Sequence, residues 1–445
     1  MRTSRAAFIN DTDLLHGPLM GKIFAFVMPL VVTNLIQNLY NAADMVVVGL
    51  SGVDGAIGSI GTTAAMVSCM LNLFMGFAVG SSVMVARSIG ERNQQKTQEA
   101  VHTSLIVGLV SGLVAMTLGL IGGRRVLILL GDQGHILELA HLYARIYFAG
   151  LPFIAMTNFL IAIFRAKGDT RTPLVILTLT GLLNVGLNLL FVLAFRMSVD
   201  GVALATTISN IASMIVLSAV LHRDKGWCRL EFRKLKVEKH ALQGIVYNGL
   251  PAAIQGILFS LSNMLIQSSI ISINNTRFPG GSAVIDGNSA GQSIESFAYV
   301  ATNSVCQAAV TFTSQHYGAK KFRRMGKVIR DCYFASLTIA EVMAIIIIVL
   351  RYPLARIYLS SPEAIEVCSI RLIYMLTGYA FLAVMDTGSG IVRGLNRPIT
   401  STIVNFTNFS IVFVSFSCAA ISTTPVKTFC LGNPTTSFFS LIAEF

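Results

Sequence analysis

The chain has 445 residues, of which 54% are hydrophobic and only 12% charged, and its mean hydropathy is +0.70. Soluble domains carry roughly 25% charged residues, so this chain has too little polar surface to dissolve in water and reads as an all-α polytopic membrane protein. Its net charge of +12 comes without an aromatic-basic module, which argues against a nucleic-acid partner and for membrane topology and anionic-lipid contact.

About 20 apolar residues cross a hydrocarbon core of roughly 30 Å. Runs of that kind begin near residues 22, 56, 101, 139, 174, 199, 244, 283, 331, 365 and 399, which predicts eleven spans. The first run extends well past a signal h-region and lacks a small-residue cleavage pattern, so no cleaved leader is expected. The seven cysteines are scattered without a CxxC, so neither a disulfide framework nor a zinc site is implied.

A pattern recurs at an offset of 228 residues. FRAKGDTRTP (164–173) answers VRGLNRP (392–398), with Arg165 matching Arg393, and Gly90 in ARSIGERN answers Gly318 in TSQHYGAKK. Two copies with an even number of spans keep one orientation, so the axis relating them should run along the membrane normal, with the working site between them. The expected domains are an N-lobe of six spans (1–221), a basic cytoplasmic linker (222–243), a C-lobe (244–421) and a degenerate tail (422–445).

Orientation follows from the loops. With Met1 cytoplasmic, the inside segments hold twenty-four Lys and Arg and the outside loops six, which sets the topology. The repeat predicts a last span near the chain's end, but STTPVKTFCLGNPTTSFFSLIAEF, with two prolines and many hydroxyl residues, is not expected to span. The second six-helix lobe is therefore expected to lack its last helix.

A charge at mid-membrane costs on the order of 2.5–3.5 kcal/mol on an insertion scale and persists only with a partner or water. In the first span, Asn34, Gln37, Asn38, Asn41 and Asp44 fall within about a 120° arc, one polar stripe facing the bundle or a wet cavity. Asn184 and Asn188 share a face of the fifth span at i, i+4, and the sixth offers the hydroxyls of Thr206 and Thr207. A carboxylate, two carboxamides and a hydroxyl could bind Na⁺ at Asp44, Asn184 and Asn188, or hold a proton on Asp44. The alternative for the two asparagines is helix joining. The eighth span has a second stripe, Asn288, Gln292, Glu295, Tyr299 and Thr302, within about an 80° arc; Glu295 is either a buried coupling acid or an interhelical hydrogen-bonding group. Asp386, beside Gly388 and Gly390, is open to a structural or a functional reading. Pro29 and Pro251 in the first span of each half and Pro152 in the fourth are kink positions. No GxxxxGK[ST] phosphate loop occurs in the sequence, which argues against a fused ATPase. A membrane enzyme would need clustered His, Asp or Ser, and the histidines are dispersed.

The strings MPLVVTNLIQNLYNAADMVVVG, FRAKGDTRTP, NVGLNLLFVLAF with GVALATTIS, and FTSQHYGAKK resemble the multidrug and toxic compound extrusion (MATE) family, in its DinF-like branch, over residues 14–415. The resemblance implies two six-helix lobes exchanging H⁺ or Na⁺ for cationic amphipathic compounds at a bacterial inner membrane, as a monomer and with no cofactor beyond the coupling ion. Asp44 matches the family's carboxylate in the first helix, Asn184 its asparagine in the fifth and Thr206 its threonine in the sixth. Asn188 stands where several relatives carry a second aspartate, which raises the weight of Glu295 or Asp386. Another branch has acids in helices seven and ten; here the seventh span offers Gln255, and Asp386 stands at a different offset. Gln37, Asn41, Gln255, Gln292, Glu295 and Asp386 are the candidates for a substrate cavity or second coupling site. A lipid-linked oligosaccharide flippase of related architecture and a non-functional truncated protein are the competing readings.

Overall fold

The computed structural model describes residues 13–49, 53, 56–129, 134–277, 283–403 and 405. Six long helices come first: α1 (Leu19–Gly49), α2 (Ala56–Gly90), α3 (Gln94–Leu129), α4 (Gly134–Lys167), α5 (Arg171–Leu189) and α6 (Val199–Arg223). The second set is α7 (Lys239–Arg277), α8 (Ala283–Gly318), α9 (Phe322–Val349), a short α10 (Arg351–Tyr358), α11 (Pro362–Thr377) and α12 (Tyr379–Gly394). Another helix begins at 398, where the eleventh span was expected. The proposed missing twelfth helix and the tail lie outside the described residues.

Among the described residues, eight helices are long and apolar enough to cross a membrane, and α11 with α12, bent by 51°, make a ninth candidate. α8 is not among the eight although it has 36 residues, because its polar stripe lowers its hydropathy. It is instead the hub of the second lobe, packed on α9, α11 and α12, and residues 308–316 are buried without interruption. In the first lobe α4 packs on α2, α3 and α6, and α5 on α1 and α6.

The repeat read in the sequence is also a repeat of backbone. Left-handed φ occurs at Gly168 (96°) and Asn396 (61°), and at Arg92 (55°) and Lys320 (53°); each pair is 228 apart. Glycine and asparagine are the residues that adopt this conformation most readily, which is why GDTRTP and LNRP both turn one helix into the next. After Gly168, the Asp169 carboxylate accepts from the backbone N–H groups of Arg171 (3.1 Å) and Thr172 (3.0 Å) and so caps the first turn of α5.

Contacts also cross between the sets. α1 packs on α8 and α9, α2 on α7 and α8, and α7 also on α3. Lipid tails are as apolar as leucine, so close van der Waals packing of small residues drives such contacts. Accordingly, a side chain on Gly76 would collide with the Ala253 backbone, and one on Gly80 with Ile245 and Gly249. The basic end of α1, through Ile23, Phe26, Val27 and Leu30, shares a core with Ala301, Val305, Phe312, Val328 and Ile391 of the second lobe. Its other end, Val47 and Val48, packs with Val192, Val199 and Val202 of the first. One helix therefore belongs to both cores.

The lysine- and arginine-rich loops gather at one end, called here the basic end. The linker between the lobes docks there: Lys167 pairs with Asp224 at 2.8 Å, the Glu231 N–H donates to His102 Nε2 and the Glu238 N–H to Thr103 Oγ1. At this end a Cβ on Gly90 would strike the Gln315 carbonyl, and one on Gly318 the Arg87 carbonyl; 87 and 315 are again 228 apart. Toward the other end Gln37, Asn41, Gln292 and Ser293 are exposed. The lobes thus close at the basic end and leave polar faces accessible at the opposite one.

Candidate functional site

α1 carries the predicted stripe, and its members separate by neighbour. Asn34 Nδ2 donates to Ser304 Oγ of the other lobe at 3.0 Å. Gln37 and Asn41 are exposed. Asp44, near the far end, faces α5: its Oδ1 accepts from Asn188 Nδ2 at 2.5 Å. Asn188 Nδ2 also reaches Asn184 Oδ1 (3.2 Å), and Asn184 Nδ2 points to Thr206 Oγ1 (3.4 Å). Thr206 also stands close enough to Asp44 to interact with it, so the four residues form one group across α1, α5 and α6.

Local sequence explains how they meet. Asn184 and Asn188 lie one turn apart on α5, both buried. The helix widens just after them into a π turn, Leu190–Ala194, with Phe195 N–H bonding Leu190 O at 3.1 Å; such widenings recur beside functional groups. Gly181 lets α1 approach, because a side chain there would collide with the ring of Tyr40, whose hydroxyl donates to Thr178 O at 3.0 Å.

The donor set suits a small cation. It consists of a carboxylate, two amide oxygens and a hydroxyl, all oxygen. Asn188 Oδ1 is buried and has no hydrogen-bond partner, and a buried acceptor left so costs about 1–3 kcal/mol. A proton shared at Asp44 after an amide rotation, or a Na⁺ bridging the oxygens, would satisfy it.

The second group lies in the other lobe. Glu295 Oε2 accepts from Arg371 Nη2 at 2.8 Å, and Arg371 Nη1 donates to Asn288 Oδ1 at 2.7 Å. Gly291 makes room for this, since a side chain there would meet Arg371 Cδ. Thr302 turns back on its own helix, bonding Ala298 O. Arg393 Nη2 donates to Gln255 Oε1 at 2.5 Å. Asp386 feels the charge of Arg393 and stands near Tyr299; its Oδ2 is buried without a hydrogen-bond partner. Gln292 is exposed away from these contacts.

Four residues escape a reading by stripes. Arg371 is a lone cation in an apolar run, and asking what balances Glu295 would have found it. Tyr143 and Tyr147 stack at 5.8 Å on α4, both close enough to feel Asp44's charge; their i, i+4 spacing was the available signal. Tyr40 lies off the α1 stripe, and nothing in its spacing distinguishes it.

Comparison with known proteins agrees with this architecture. The MatE family model matches residues 29–190 and 251–418, one stretch in each half. The "Probable multidrug resistance protein YoeA" of Bacillus subtilis (strain 168) is 26% identical over 390 residues, 85% of this chain and 82% of that protein. The solved structure described as the outward-facing conformation of a multidrug resistance MATE family transporter of the MOP superfamily superposes with a TM-score of 0.86 at 20% identity, covering 98% of this chain and 96% of that one. A MOP superfamily transporter from Pyrococcus furiosus, described as having a binding pocket of reverse polarity, gives 0.88 at 20% identity, again over 98% and 96%. With the family matching most of its length in two copies, this chain belongs to the MatE family of multi-pass membrane transporters.

Proposed function

We propose that the protein is a secondary antiporter that exports cationic amphipathic compounds in exchange for H⁺ or Na⁺. The observation that carries this reading is the Asp44–Asn188–Asn184–Thr206 group, an acid that accepts from an asparagine amide and is grouped with further amide and hydroxyl oxygens, on a helix whose opposite end is built into the other lobe's core. A cation loaded at Asp44 neutralises the acid, which weakens its hold on a cationic substrate and alters the contacts of α1 with α5 and α6. Because α1 also packs on α8 and α9, that change bears on the relation between the lobes, the requirement for alternating access. One elementary charge moving down the membrane potential supplies about 2.3 kcal/mol per 100 mV, equivalent to more than a tenfold substrate gradient.

On this reading the basic end is cytoplasmic in a bacterial inner membrane, residues 1–221 and 244–421 are the two lobes, 222–243 is their tether, and the unit is a monomer. Gln37, Asn41 and Gln292 line the substrate path, with Gln255 and Asp386 behind them. The flippase alternative calls for cations free to hold a phosphate-linked sugar. Arg371 and Arg393 are the cations of the C-lobe stripe region, and they are engaged by Glu295 and Gln255, which favours the organic-cation reading.

The test is efflux of a fluorescent lipophilic cation from proteoliposomes under an imposed pH gradient, an imposed Na⁺ gradient, or neither. Export driven by one gradient and absent without both is expected. Export that ignores both gradients would sink the antiport reading.

A further inference from the structure

The basic end holds a cavity of about 920 Å³ that lies apart from the Asp44 group and is lined from both lobes. Its walls carry Arg87, Arg92, Lys96, Lys320 and Lys321, against the single carboxylate of Glu91. Glu91 is already shared, accepting from Arg87 and Lys96 at 3.1 Å each. Arg92 and Lys320 are the repeat-related pair with left-handed φ, so the backbone turns present equivalent cations from the two halves. Lys321 Nζ donates to Leu15 O and His16 Nε2, which draws the chain before α1 into the same wall.

So many like charges in one cavity repel each other across the lobe boundary. The Lys321 amine shows it: its proton affinity is below the ordinary lysine range, first through burial and then through Arg92 and Arg324, with Asp13 opposing. α3 and α9 both begin at this cavity, so their positive ends add to the potential. A closed basic end thus assembles a concentrated positive site that an open one would divide.

We infer that this cavity binds a phosphate-bearing anion, the headgroup of an anionic lipid or a multiply charged free phosphate, and that the bound anion favours the state in which the basic end is closed. Five cations and two helix starts match the charge and the acceptor geometry of phosphate oxygens, and each lobe supplies part of the site, so binding and closure are linked.

The experiment uses the full chain with nitroxide labels at Gln95→Cys and Arg323→Cys, exposed repeat-related positions at the starts of α3 and α9, in an otherwise cysteine-free background. Label distances are measured in phosphatidylcholine vesicles, in phosphatidylcholine containing phosphatidylglycerol, and in phosphatidylcholine with pyrophosphate. Pyrophosphate binding to the detergent-purified protein is measured alongside. The closed-to-open ratio should rise on the order of tenfold with an anion, within the usual range of coupling between sites. A response to phosphatidylglycerol alone identifies the headgroup as the source, and a response to pyrophosphate alone identifies the free anion. Lys320→Gln with Lys321→Gln removes both cations that the second half contributes to the cavity, and with them the repulsion across the boundary and the two-sided hold on an anion, so this variant should stay closed in phosphatidylcholine and ignore both anions. The readout of closure rests on the alternation proposed above; anion binding that the double variant abolishes, without any distance change, upholds the site and counts against the alternation. Identical distances in all three conditions with no anion binding, or a double variant that responds as the parent does, overturns the inference.

Discussion

Asn34 donates to Ser304 at 3.0 Å across the lobe boundary, about three turns along the same helix from Asp44. The acid that answers to Asn188 in one lobe is thus mechanically continuous with a hydrogen bond into the other. Pro29 lies near this junction, inside α1, where a missing backbone donor lets the helix bend.

Asp44→Asn should reduce resistance in an efflux-deficient host to that of the empty vector, with normal amounts of protein in the membrane. The amide keeps the size of the carboxyl but can neither bind a proton nor balance Na⁺. Full retained efflux would remove Asp44 from the mechanism.

Asn188→Ala deletes both the donor to Asp44 and the buried oxygen that lacks a partner. Hydrogen bonds to charged groups are worth about 1.5–3 kcal/mol, so the ion concentration for half-maximal efflux should shift at least about tenfold. Asn188→Asp should keep activity, because it preserves an oxygen ligand there. Equal ion dependence in parent and Ala variant would show that the residue only joins helices.

Gly90→Val should block transport while leaving insertion intact, since the added side chain meets the Gln315 backbone, which cannot step aside as a side-chain tip can. Gly318→Val should behave alike. Gly326→Ala, where a Cβ meets nothing within 4 Å, is the control. Label distances between Gln95→Cys and Arg323→Cys should be persistently longer in the two valine variants; unchanged distances and transport would refute the claim that this seam must close.

Arg371→Gln leaves Glu295 without its cation in a buried setting, a change that typically costs about 3–5 kcal/mol. Thermal unfolding in detergent should show a clear drop, and adding Glu295→Gln should recover most of it. A single variant as stable as the parent would mean the pair is dispensable.

Much of this architecture is legible in the sequence because the bilayer imposes long apolar runs and penalises every polar exception. The stripe from Asn34 to Asp44 and the Asn184/Asn188 spacing could be read as faces in the sequence, and of these residues Asp44, Asn188 and Asn184 meet, while Asn34 turns to Ser304 and Gln37 and Asn41 are exposed. Periodicity gives a residue's face but not its partner on another helix, so Arg371 opposite Glu295 was missed, and so was the reach of Arg393 to Gln255. Nor could spacing show that α1 divides its length between two cores, since both halves are equally apolar. The 228-residue offset fared best, because it shows in both the side chains and the turns that carry them.

The reciprocal glycine seam says something about descent. Gly90 lies on the Gln315 carbonyl as Gly318 lies on that of Arg87, the mutual arrangement identical subunits adopt about a dyad. A polypeptide of half this length, inserted in one orientation, could have made the same contact with a second molecule of itself, so fusing two gene copies would have preserved an existing homodimer interface without having to invent a new one.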